Sequence, residues 1–429
     1  MTTTAERLNG LLADVLGGPV PLALRAWDGS ECGPAGAPVV IVRSRRALRR
    51  LLWQPGELGL AEAYITGDID IEGDLADGLR TMWAGAREQR LSPTRPGVAQ
   101  LASAVGAAAR LGAVGPPPKA PAGRARLRGA RHSTARDRAA ISHHYDVSHR
   151  FYELLLDPSM AYSCGYWESE DPQYALADAQ RAKLELTCRK LGLAPGTRLL
   201  DVGCGWGALT LHAAEQYKAQ VTAVTLSREQ RDFVQARVRE RGLEDQVDVQ
   251  LRHYRDIEGG QYGAISVIEM GEHVGDAEYP GFAAQLYGLL RPQGRILVQQ
   301  MSRGSKAPGG GAFIESYIAP DMHMRPVGET IGLWEAAGFE MRAAESLREH
   351  YVRTVDAWRD TLEERWEEFV SLVGTEAART WRLYLVGGSL AFEERRMGVD
   401  QILAVRTGDR GRSGMPATTA DWHRGEVAS

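Results

Sequence analysis

Short apolar runs alternate with segments of helical periodicity in the middle of the chain. The apolar runs predict strands at residues 198–202, 220–225, 247–252, 264–269 and 294–300. The segments between them predict helices at 208–216, 228–241 and 279–290, with a turn at 291–294. Strands and helices in alternation indicate a parallel sheet with helices on both faces. The sequence therefore predicts an α/β fold whose main domain is doubly wound and Rossmann-like.

The first 115 residues have a different pattern. Leu8, Leu11, Leu12, Val15 and Leu16 recur with the period of a helix and give it one apolar face. Helical and short strand patterns are mixed in the rest of this segment. A chain of 429 residues is too long for one ordinary domain. We therefore expect a smaller, mixed α/β N-terminal domain over residues 1–115.

Pairs of basic and apolar residues alternate between Arg45 and Trp53. On a helix, this places a basic face beside an apolar one. A basic amphipathic helix can bind an anionic bilayer. The pattern also fits a surface helix that packs on its own domain, and both interpretations stay open.

Residues 116–137 are rich in proline, glycine and arginine and predict a basic linker. Seven Lys or Arg residues and one acid, Asp137, lie between Lys119 and Arg138. The catalytic domain is expected at residues 138–408. The polar segment 409–429 predicts a disordered tail.

Composition narrows the class of protein. The net charge of −4 names no partner, and 44% hydrophobic residues is typical of a globular protein. The four cysteines form no metal-binding spacing, so we expect no metal site and reduced thiols in a cytoplasmic protein. The N-terminus has no basic region followed by an apolar core, and no apolar stretch reaches spanning length. We therefore expect no secretory signal, and only peripheral contact with the inner face of the membrane.

A glycine-rich turn follows the predicted strand at 198–202. Gly203, Gly205 and Gly207 have the spacing Gly-x-Gly-x-Gly, whereas dinucleotide enzymes have Gly-x-Gly-x-x-Gly. Glycine lets the backbone approach a ligand closely, and a strand, a glycine turn and a helix form a nucleotide site in doubly wound sheets. With Asp201 just ahead of the glycines, the run is similar to the first motif of S-adenosylmethionine (SAM) methyltransferases.

Other cofactor contacts are expected where the neighbouring strands end, because ligands bind beyond the carboxyl ends of parallel strands. A dinucleotide enzyme would place an acid about twenty residues past the glycines, where this chain has Thr225. The segment from Glu269 to Glu272 is expected to face the methyl group that is transferred. The candidate cofactor-binding residues at these strand ends are Thr225, Leu226, Gln230, His253, Tyr254 and Glu269.

Six motifs follow one another along the chain: His144–Ser148, Tyr162–Trp167, Asp201–Gly207, Thr225–Ser227, Gly271–Gly275 and His350–Tyr351. Together they resemble the cyclopropane fatty acid synthase family over about residues 138–405. The run 56–64 extends the likeness weakly into the N-terminal domain, which is similar to the lipid-engaging domain of the full-length bacterial enzymes. The resemblance implies that SAM, bound in part by Tyr162 and Ser163, methylates a carbon–carbon double bond in a phospholipid acyl chain.

The resemblance also implies a base. In the family, bicarbonate is held by Glu, His and Tyr side chains and by a backbone group at a Cys. Glu272, Tyr351 and Cys164 match three of these places, whereas Gln299 stands where relatives have His. A glutamine forms hydrogen bonds but cannot carry the charge of an imidazolium, which weakens the expectation that bicarbonate binds. His273, beside Glu272, completes the candidate catalytic residues.

The replacement of His by Gln299 favours a 10-methylene product, the precursor of 10-methylstearic (tuberculostearic) acid, which a separate reductase would complete. The alternative is cyclopropane formation across the same double bond. The expected partner is unsaturated phospholipid at a membrane surface, and a homo-oligomer is compatible with the sequence. A nucleic-acid methyltransferase, a lipid-binding protein that retains SAM and a small-molecule methyltransferase are further readings. The first lacks an Asn/Asp-Pro-Pro-Tyr motif, so we expect no nucleic-acid partner.

Overall fold

The structure, a computed structural model, describes residues 2–16, 18–88, 105–106, 108–125, 129–133, 136–137, 149–304 and 309–422. The chain divides into two compact units. Unit 1 comprises Met1–Arg124, Gly311–Tyr317 and Trp366–Leu390, and unit 2 comprises Ala125–Gly310, Ile318–Arg365 and Ala391–Ser429. Unit 1 thus includes two later segments that the sequence analysis assigned to the catalytic domain. Their inclusion depends on contacts between residues distant in sequence, which local patterns do not show.

The elements are numbered in chain order. The helices are α1 (Thr4–Leu16), α2 (Arg45–Trp53), α3 (Glu57–Ile65), α4 (Leu75–Glu88), α5 (His149–Leu155), α6 (Leu176–Leu191), α7 (Ala208–Tyr217), α8 (Arg228–Glu240), α9 (Tyr279–Leu289), α10 (Ala312–Tyr317), α11 (Val327–Ala336), α12 (Arg348–Glu364), α13 (Trp366–Val373) and α14 (Thr375–Glu393). The strands are β1 (Ala23–Arg25), β2 (Glu31–Cys32), β3 (Val39–Val42), β4 (Ile69–Ile71), β5 (Arg198–Val202), β6 (Gln220–Thr225), β7 (Val247–Leu251), β8 (Tyr262–Ile268), β9 (Leu290–Ser302), β10 (Glu340–Ser346) and β11 (Gly398–Val405).

Unit 1 is built on a four-stranded mixed sheet with the order β2-β1-β3-β4. Helix α2 packs on this unit through its basic side chains. Arg50 is buried and lies 2.8 Å from Glu62, while Arg49 donates a hydrogen bond to the carbonyl of Ala113. These intramolecular contacts favour the interpretation of α2 as a helix docked on its own domain. Trp53, at the end of the helix, remains 60% exposed.

Unit 2 contains a seven-stranded sheet with the order β10-β11-β9-β8-β5-β6-β7. Strands β9, β8, β5, β6 and β7 are parallel, whereas β11 runs antiparallel between β9 and β10. The predicted doubly wound α/β fold is confirmed. The antiparallel strand β11 was not anticipated, because it returns to the sheet after a long helical segment.

Helices cover both faces of this sheet. Leu199 and Leu200 are adjacent in β5 and fully buried, and they belong to two different apolar clusters. Leu199 packs with side chains of α6, α7 and α8, and Leu200 packs with side chains of α9 and α11. Because successive strand residues point to opposite faces, an apolar strand such as β5 requires cover on both sides.

Two local expectations differ from the structure. The predicted turn at 291–294 is an irregularity inside β9, where Gln293 adopts a φ of +62° and the pairing with β8 shifts register. The expected disorder does not hold for residues 409–422, which include two short 3-10 helices. Trp422 is buried against the core of unit 2 and holds this segment.

Within the described ranges, no helix is both long and apolar enough to cross a bilayer. The same residues contain no cluster of three or more His, Cys, Asp or Glu side chains that could hold a metal ion.

Candidate active site

A cavity of about 160 Å³ opens at the carboxyl ends of β5, β6 and β8. Twelve of the candidate residues line it: Tyr162, Ser163, Asp201, Gly203, Gly205, Thr225, Leu226, Gln230, His253, Tyr254, Glu269 and His273. The motif at 144–148 lies outside the described residues.

The glycine turn forms the wall of the cavity beside β5. Gly203 and Gly205 adopt φ values of +81° and +55°, which favour glycine. A Cβ on Gly203 would lie 2.8 Å from Met270, whereas a Cβ on Gly205 would meet no protein atom within 4 Å. Gly205 therefore faces open space that a ligand can fill. Gly207 lies apart from the cavity, as the N-cap of α7.

Asp201 lies directly before the glycine turn and is held by two hydrogen bonds. Its carboxylate accepts hydrogen bonds from the hydroxyls of Thr210 (2.7 Å) and Ser266 (2.8 Å). Burial raises the pKa of Asp201, while these two donors and the nearby Lys183 lower it. The side chain thus links β5 to α7 and β8 at the edge of the cavity.

Two polar residues, Thr225 and Gln230, line the cavity near the end of β6. The hydroxyl of Thr225 donates to Oε1 of Gln230 at 2.7 Å, and Ser227 caps α8 by accepting from the main-chain N–H of Gln230. The Nε2 group of Gln230 is buried without a hydrogen-bond partner in the described part of the chain. An unpaired buried donor is costly, so Gln230 fits a ligand that supplies an acceptor here, as the ribose hydroxyls of SAM would.

Two histidines, His253 and His273, also line the cavity. His253 is buried, and its Nε2 lies 3.4 Å from the carboxylate of Asp137. Burial lowers the pKa of His273 to about 4, so its imidazole is neutral near neutral pH. In this state His273 can form hydrogen bonds, but it carries no positive charge that could stabilise an anion.

Lys183 is a cavity residue that the sequence analysis missed. It is 3% exposed, and its ammonium donates to the hydroxyl of Ser163 at 2.9 Å. Burial lowers its pKa, while the charges of Glu269 and Asp157 raise it. The available signal was a lysine among the apolar positions of a helix, which is unusual because a buried ammonium needs a partner.

Glu269 lies at the centre of the candidate catalytic residues. Its Oε1 accepts hydrogen bonds from the main-chain N–H of Cys164 (2.8 Å) and from Nε2 of Gln299 (2.9 Å). Its Oε2 accepts a hydrogen bond from the phenol of Tyr351 at 2.6 Å. These are three of the groups that the family resemblance implies for bicarbonate. A bicarbonate ion does not fit at this position, because the carboxylate of Glu269 occupies all three donors.

The backbone of Glu269 is strained. Its φ is +49°, in the left-handed region that residues with a side chain rarely adopt. Its main-chain N–H donates to the carbonyl of Gln299 at 2.6 Å and so holds this conformation at the end of β8. Strained residues are often found at functional sites, where the surrounding structure enforces a required geometry.

Opposing effects act on the ionisation of Glu269. Burial raises its pKa, whereas the hydrogen bonds from Tyr351, Cys164 and Gln299 and the charge of Lys183 lower it. All three groups donate hydrogen bonds to the carboxylate, so they stabilise its ionised form. The thiol of Cys164 is fully buried with a raised pKa, so this residue acts on Glu269 through its main chain only.

Glu272, the residue that the resemblance implies as a bicarbonate ligand, does not share the three donors that hold Glu269. Its carboxylate is fully buried, and within the described residues neither oxygen accepts a hydrogen bond of good geometry. Burial, and then the charge of Glu269, raise its pKa to about 8, although the main-chain N–H groups of Glu272 and Met301 face it and act in the other direction. Glu272 is thus predominantly a neutral acid at neutral pH.

Aromatic rings surround the two tyrosines of the site. The ring of Trp358 lies 5.2 Å from that of Tyr162 and 6.1 Å from that of Tyr351. Phe392 packs on Tyr351 at 4.6 Å. Such ring faces can stabilise a nearby positive charge.

The fold and the cavity define a SAM-dependent methyltransferase. Residues 132–402 match the family model described as mycolic acid cyclopropane synthetase, and the chain belongs to this family. It is similar to a probable fatty acid methyltransferase of Mycobacterium tuberculosis, with 35% identity over 93% of this chain and 94% of the relative. A tuberculostearic acid methyltransferase of the same organism is 29% identical over 91% of this chain and 88% of the relative. Among solved structures, the mycolic acid cyclopropane synthase CmaA1 complexed with SAH and CTAB aligns with a TM-score of 0.59 and 31% identity, over 62% of this chain and 97% of that one.

Proposed function

We propose that this enzyme methylates the double bond of an unsaturated fatty acyl chain in phospholipid, and that the side chain of Glu269 is the general base. The observation that carries the proposal is the carboxylate of Glu269, held by Cys164, Gln299 and Tyr351 at the edge of the SAM cavity. A base that belongs to the chain replaces the bound ion that the resemblance implies.

The reaction requires both an electrophile and a base. SAM, when bound, supplies an electrophilic methyl group. The π electrons of the alkene would form the new carbon–carbon bond while the bond between the methyl group and the sulfonium sulfur breaks. S-Adenosylhomocysteine leaves with the electron pair of that bond, and a positive charge remains on the neighbouring carbon of the acyl chain. Glu269 then accepts a proton from the added methyl group, and the electron pair of that C–H bond neutralises the charge.

The environment of Glu269 suits this role. A general base is most effective when its pKa lies near the working pH, and burial raises the pKa of Glu269 in this direction. The three hydrogen bonds keep the carboxylate oriented while they preserve its ionised form. The rings of Tyr162, Tyr351 and Trp358 supply apolar, electron-rich surface for a cationic acyl chain.

We propose a 10-methylene acyl chain as the product, which a separate reductase would convert to 10-methylstearate. A hydride shift first moves the charge to the carbon that carries the new methyl group, and loss of a methyl proton then forms the exocyclic double bond. Similarity to a tuberculostearic acid methyltransferase along nearly the whole chain supports this product. If the proton leaves before any hydride shift, the ring closes to a cyclopropane, which is the alternative.

Unit 1 supports a phospholipid substrate. Among the described residues, the exposed large hydrophobic side chains all belong to this unit: Trp53, Leu60, Val105, Val114 and Leu372. Exposed apolar side chains, with a tryptophan among them, are suited to the boundary between water and acyl chains.

Product identification tests the proposal. The purified enzyme would be incubated with SAM and vesicles of oleoyl phospholipid, and the acyl chains would be analysed by mass spectrometry and NMR. We expect addition of one CH₂ unit, with olefinic signals of an exocyclic methylene. Vesicles of saturated phospholipid are the control and should give no release of S-adenosylhomocysteine. NMR signals of ring protons upfield of the methyl region would identify the product as the cyclopropane and rule out the methylene product. Turnover without vesicles would contradict the phospholipid substrate.

A further inference from the structure

A buried chain of hydrogen bonds leads from Lys190 to Glu269. The ammonium of Lys190 in α6 donates to Oε2 of Glu345 (2.7 Å) and to Oε1 of Gln401 (2.5 Å). Nε2 of Gln401 donates to Oε1 of Gln299 at 3.1 Å, and Nε2 of Gln299 donates to Glu269 at 2.9 Å. Gln401 in β11 and Gln299 in β9 are direct partners in the sheet register.

The direction of this chain follows from its two ends. An ammonium only donates hydrogen bonds, so Gln401 must turn its oxygen toward Lys190 and its NH₂ group toward Gln299. Gln299 must then present its oxygen to Gln401 and its NH₂ group to Glu269. At the other end, Nε2 of Gln299 also donates to the carbonyl of Cys164 at 3.4 Å. The lysine at one end and these acceptors at the other thus fix the same orientation for two amides that could otherwise flip.

The side chains that form this chain of hydrogen bonds between Lys190 and Gln299 are buried. Lys190 and Gln401 are each 2% exposed, and Gln299 is fully buried. Water therefore cannot substitute for a lost partner without a rearrangement of the core, and a wrong amide orientation would leave buried polar groups unpaired.

We propose that Lys190 and Gln401 are positioning residues for the base, which fix Gln299 as a hydrogen-bond donor to Glu269 and thereby favour its ionised form. This inference rests on the proposed role of Glu269. It assigns a catalytic consequence to two residues that touch neither the cavity nor the carboxylate. Other groups that act on the ionisation of Glu269 are Lys183 on α6, the main-chain N–H of Cys164 and Tyr351 on α12. Glu272, three residues further along the chain, interacts with Glu269 through its charge.

The substitution Gln401→Glu reverses the chain without changing its shape. A carboxylate at this position still accepts from Lys190, but it cannot donate to Gln299. It accepts from the NH₂ group of Gln299 instead, so the amide flips and turns its oxygen toward Glu269. Two acceptors then face each other, and Glu269 is favoured in its protonated form, in which it can donate.

The measurement is the pH profile of kcat/KM with oleoyl phospholipid vesicles. For Gln401→Glu we expect the acid limb to move to higher pH, with about a tenfold or larger loss at neutral pH that is regained under alkaline conditions. The KM for SAM and the affinity for S-adenosylhomocysteine should stay unchanged, which also reports that the variant is folded. Gln235→Glu on α8 is a matched control that makes the same change of charge, and it should keep the wild-type profile.

A second pair of variants tests the lysine. Lys190→Met removes the donor that orients Gln401, so we expect the acid limb to move in the same direction. Lys190→Arg retains a cationic donor and should restore most of the profile. This pair also keeps the inference testable should Gln401→Glu fail to fold.

An unchanged acid limb in folded Gln401→Glu, or equal profiles for Lys190→Met and Lys190→Arg, would overturn the positioning role. The variant Glu269→Gln separates this failure from failure of the proposed function. If Glu269→Gln is inactive while Gln401→Glu has the wild-type profile, only the positioning role is lost. If Glu269→Gln keeps full turnover, the proposed base itself is wrong.

Discussion

The phenol of Tyr351 donates a 2.6 Å hydrogen bond to the carboxylate of Glu269, which joins helix α12 to the end of strand β8. The main-chain N–H of Cys164, in the loop between α5 and α6, and the amide of Gln299 in β9 donate to the other oxygen of the same carboxylate. A carboxylate with three donors and a strained backbone is over-determined in position. This fixed geometry at the edge of the SAM cavity supports the proposed role of Glu269 as the proton acceptor, and most of the predictions below test that role.

Substitution Glu269→Gln removes the proton acceptor and keeps the shape of the side chain. Its amide oxygen can still accept from Cys164 and Gln299, and its NH₂ group can donate to Tyr351, so we expect a folded protein. Turnover should fall by about a hundredfold or more, because a general base contributes on this scale. Release of S-adenosylhomocysteine measures turnover, and calorimetric binding of that product shows whether the cavity is intact. The exposed Glu240→Gln is the matched control, and equal turnover in both variants would rule out Glu269 as the base.

Substitution Tyr351→Phe removes one donor to the ionised carboxylate. The pKa of Glu269 should rise, because this hydrogen bond favours the charged form. Since the base must be ionised, the acid limb of kcat/KM should move to higher pH, with a loss of about tenfold below it. At alkaline pH the variant should approach the wild type. A loss that is the same at all pH values would show that Tyr351 acts in another way, for example on the acyl cation.

Bicarbonate should have no effect on this enzyme. The donors that the family resemblance implies for the ion are bound to Glu269. Turnover measured in buffer stripped of carbon dioxide should therefore equal turnover with added bicarbonate. A rate that falls on removal and returns on addition would contradict the assignment of Glu269 as the base.

Local patterns predicted the elements between residues 198 and 289 with errors of one or two residues at their ends, because βα units follow the periodicity of their own residues. The predicted turn at 291–294, however, lies inside β9. Strand ends then indicated the region where a cofactor binds. Helix α10 and most of α14 belong to unit 1, and β11 runs antiparallel. Both features depend on contacts between segments that are distant in sequence. Local periodicity does not report such contacts, so the sequence could not predict them.

The candidate site, too, could be predicted only in part from the sequence. The sequence placed Glu269 near the transferred methyl group but treated it as a cofactor contact, and it gave the place of an anion ligand to Glu272. Glu269 meets Cys164 and Tyr351 across 105 and 82 residues of sequence, and its positive φ has no signature in residue type. The replacement of His by Gln299 was the visible signal. It indicated a changed base site, but it did not point to Glu269, which we propose as the base.

The buried acid Glu272 should make stability depend on pH. Its pKa is raised to about 8 from a usual value of 4.5, so the folded chain holds a proton that the unfolded chain releases between these pH values. The free energy of unfolding should therefore fall as pH rises through this range. Glu272→Gln cannot ionise and should lack this fall, so its advantage over the wild type should grow to roughly a few kcal/mol by about pH 8. Unfolding midpoints measured from about pH 5 to about pH 8 test this, and parallel curves for the two proteins would show that Glu272 is not buried as an acid.

Two glycine substitutions separate cofactor binding from folding. Gly205 has a φ of +55° and faces open space in the cavity, whereas Gly288 lies on the exposed side of α9, with no atom within 4 Å of an added Cβ and an ordinary φ. Gly205→Ala places a methyl group in space that SAM would use and adds strain of about 1 kcal/mol. We expect its affinity for S-adenosylhomocysteine to fall about tenfold or more, with a small loss of stability. Gly288→Ala should instead raise the free energy of unfolding by about 0.5–1 kcal/mol, because alanine favours the helix, and leave binding unchanged. Binding by titration calorimetry and stability by chemical denaturation distinguish the two effects, and full affinity in Gly205→Ala would exclude close contact of the cofactor with this turn.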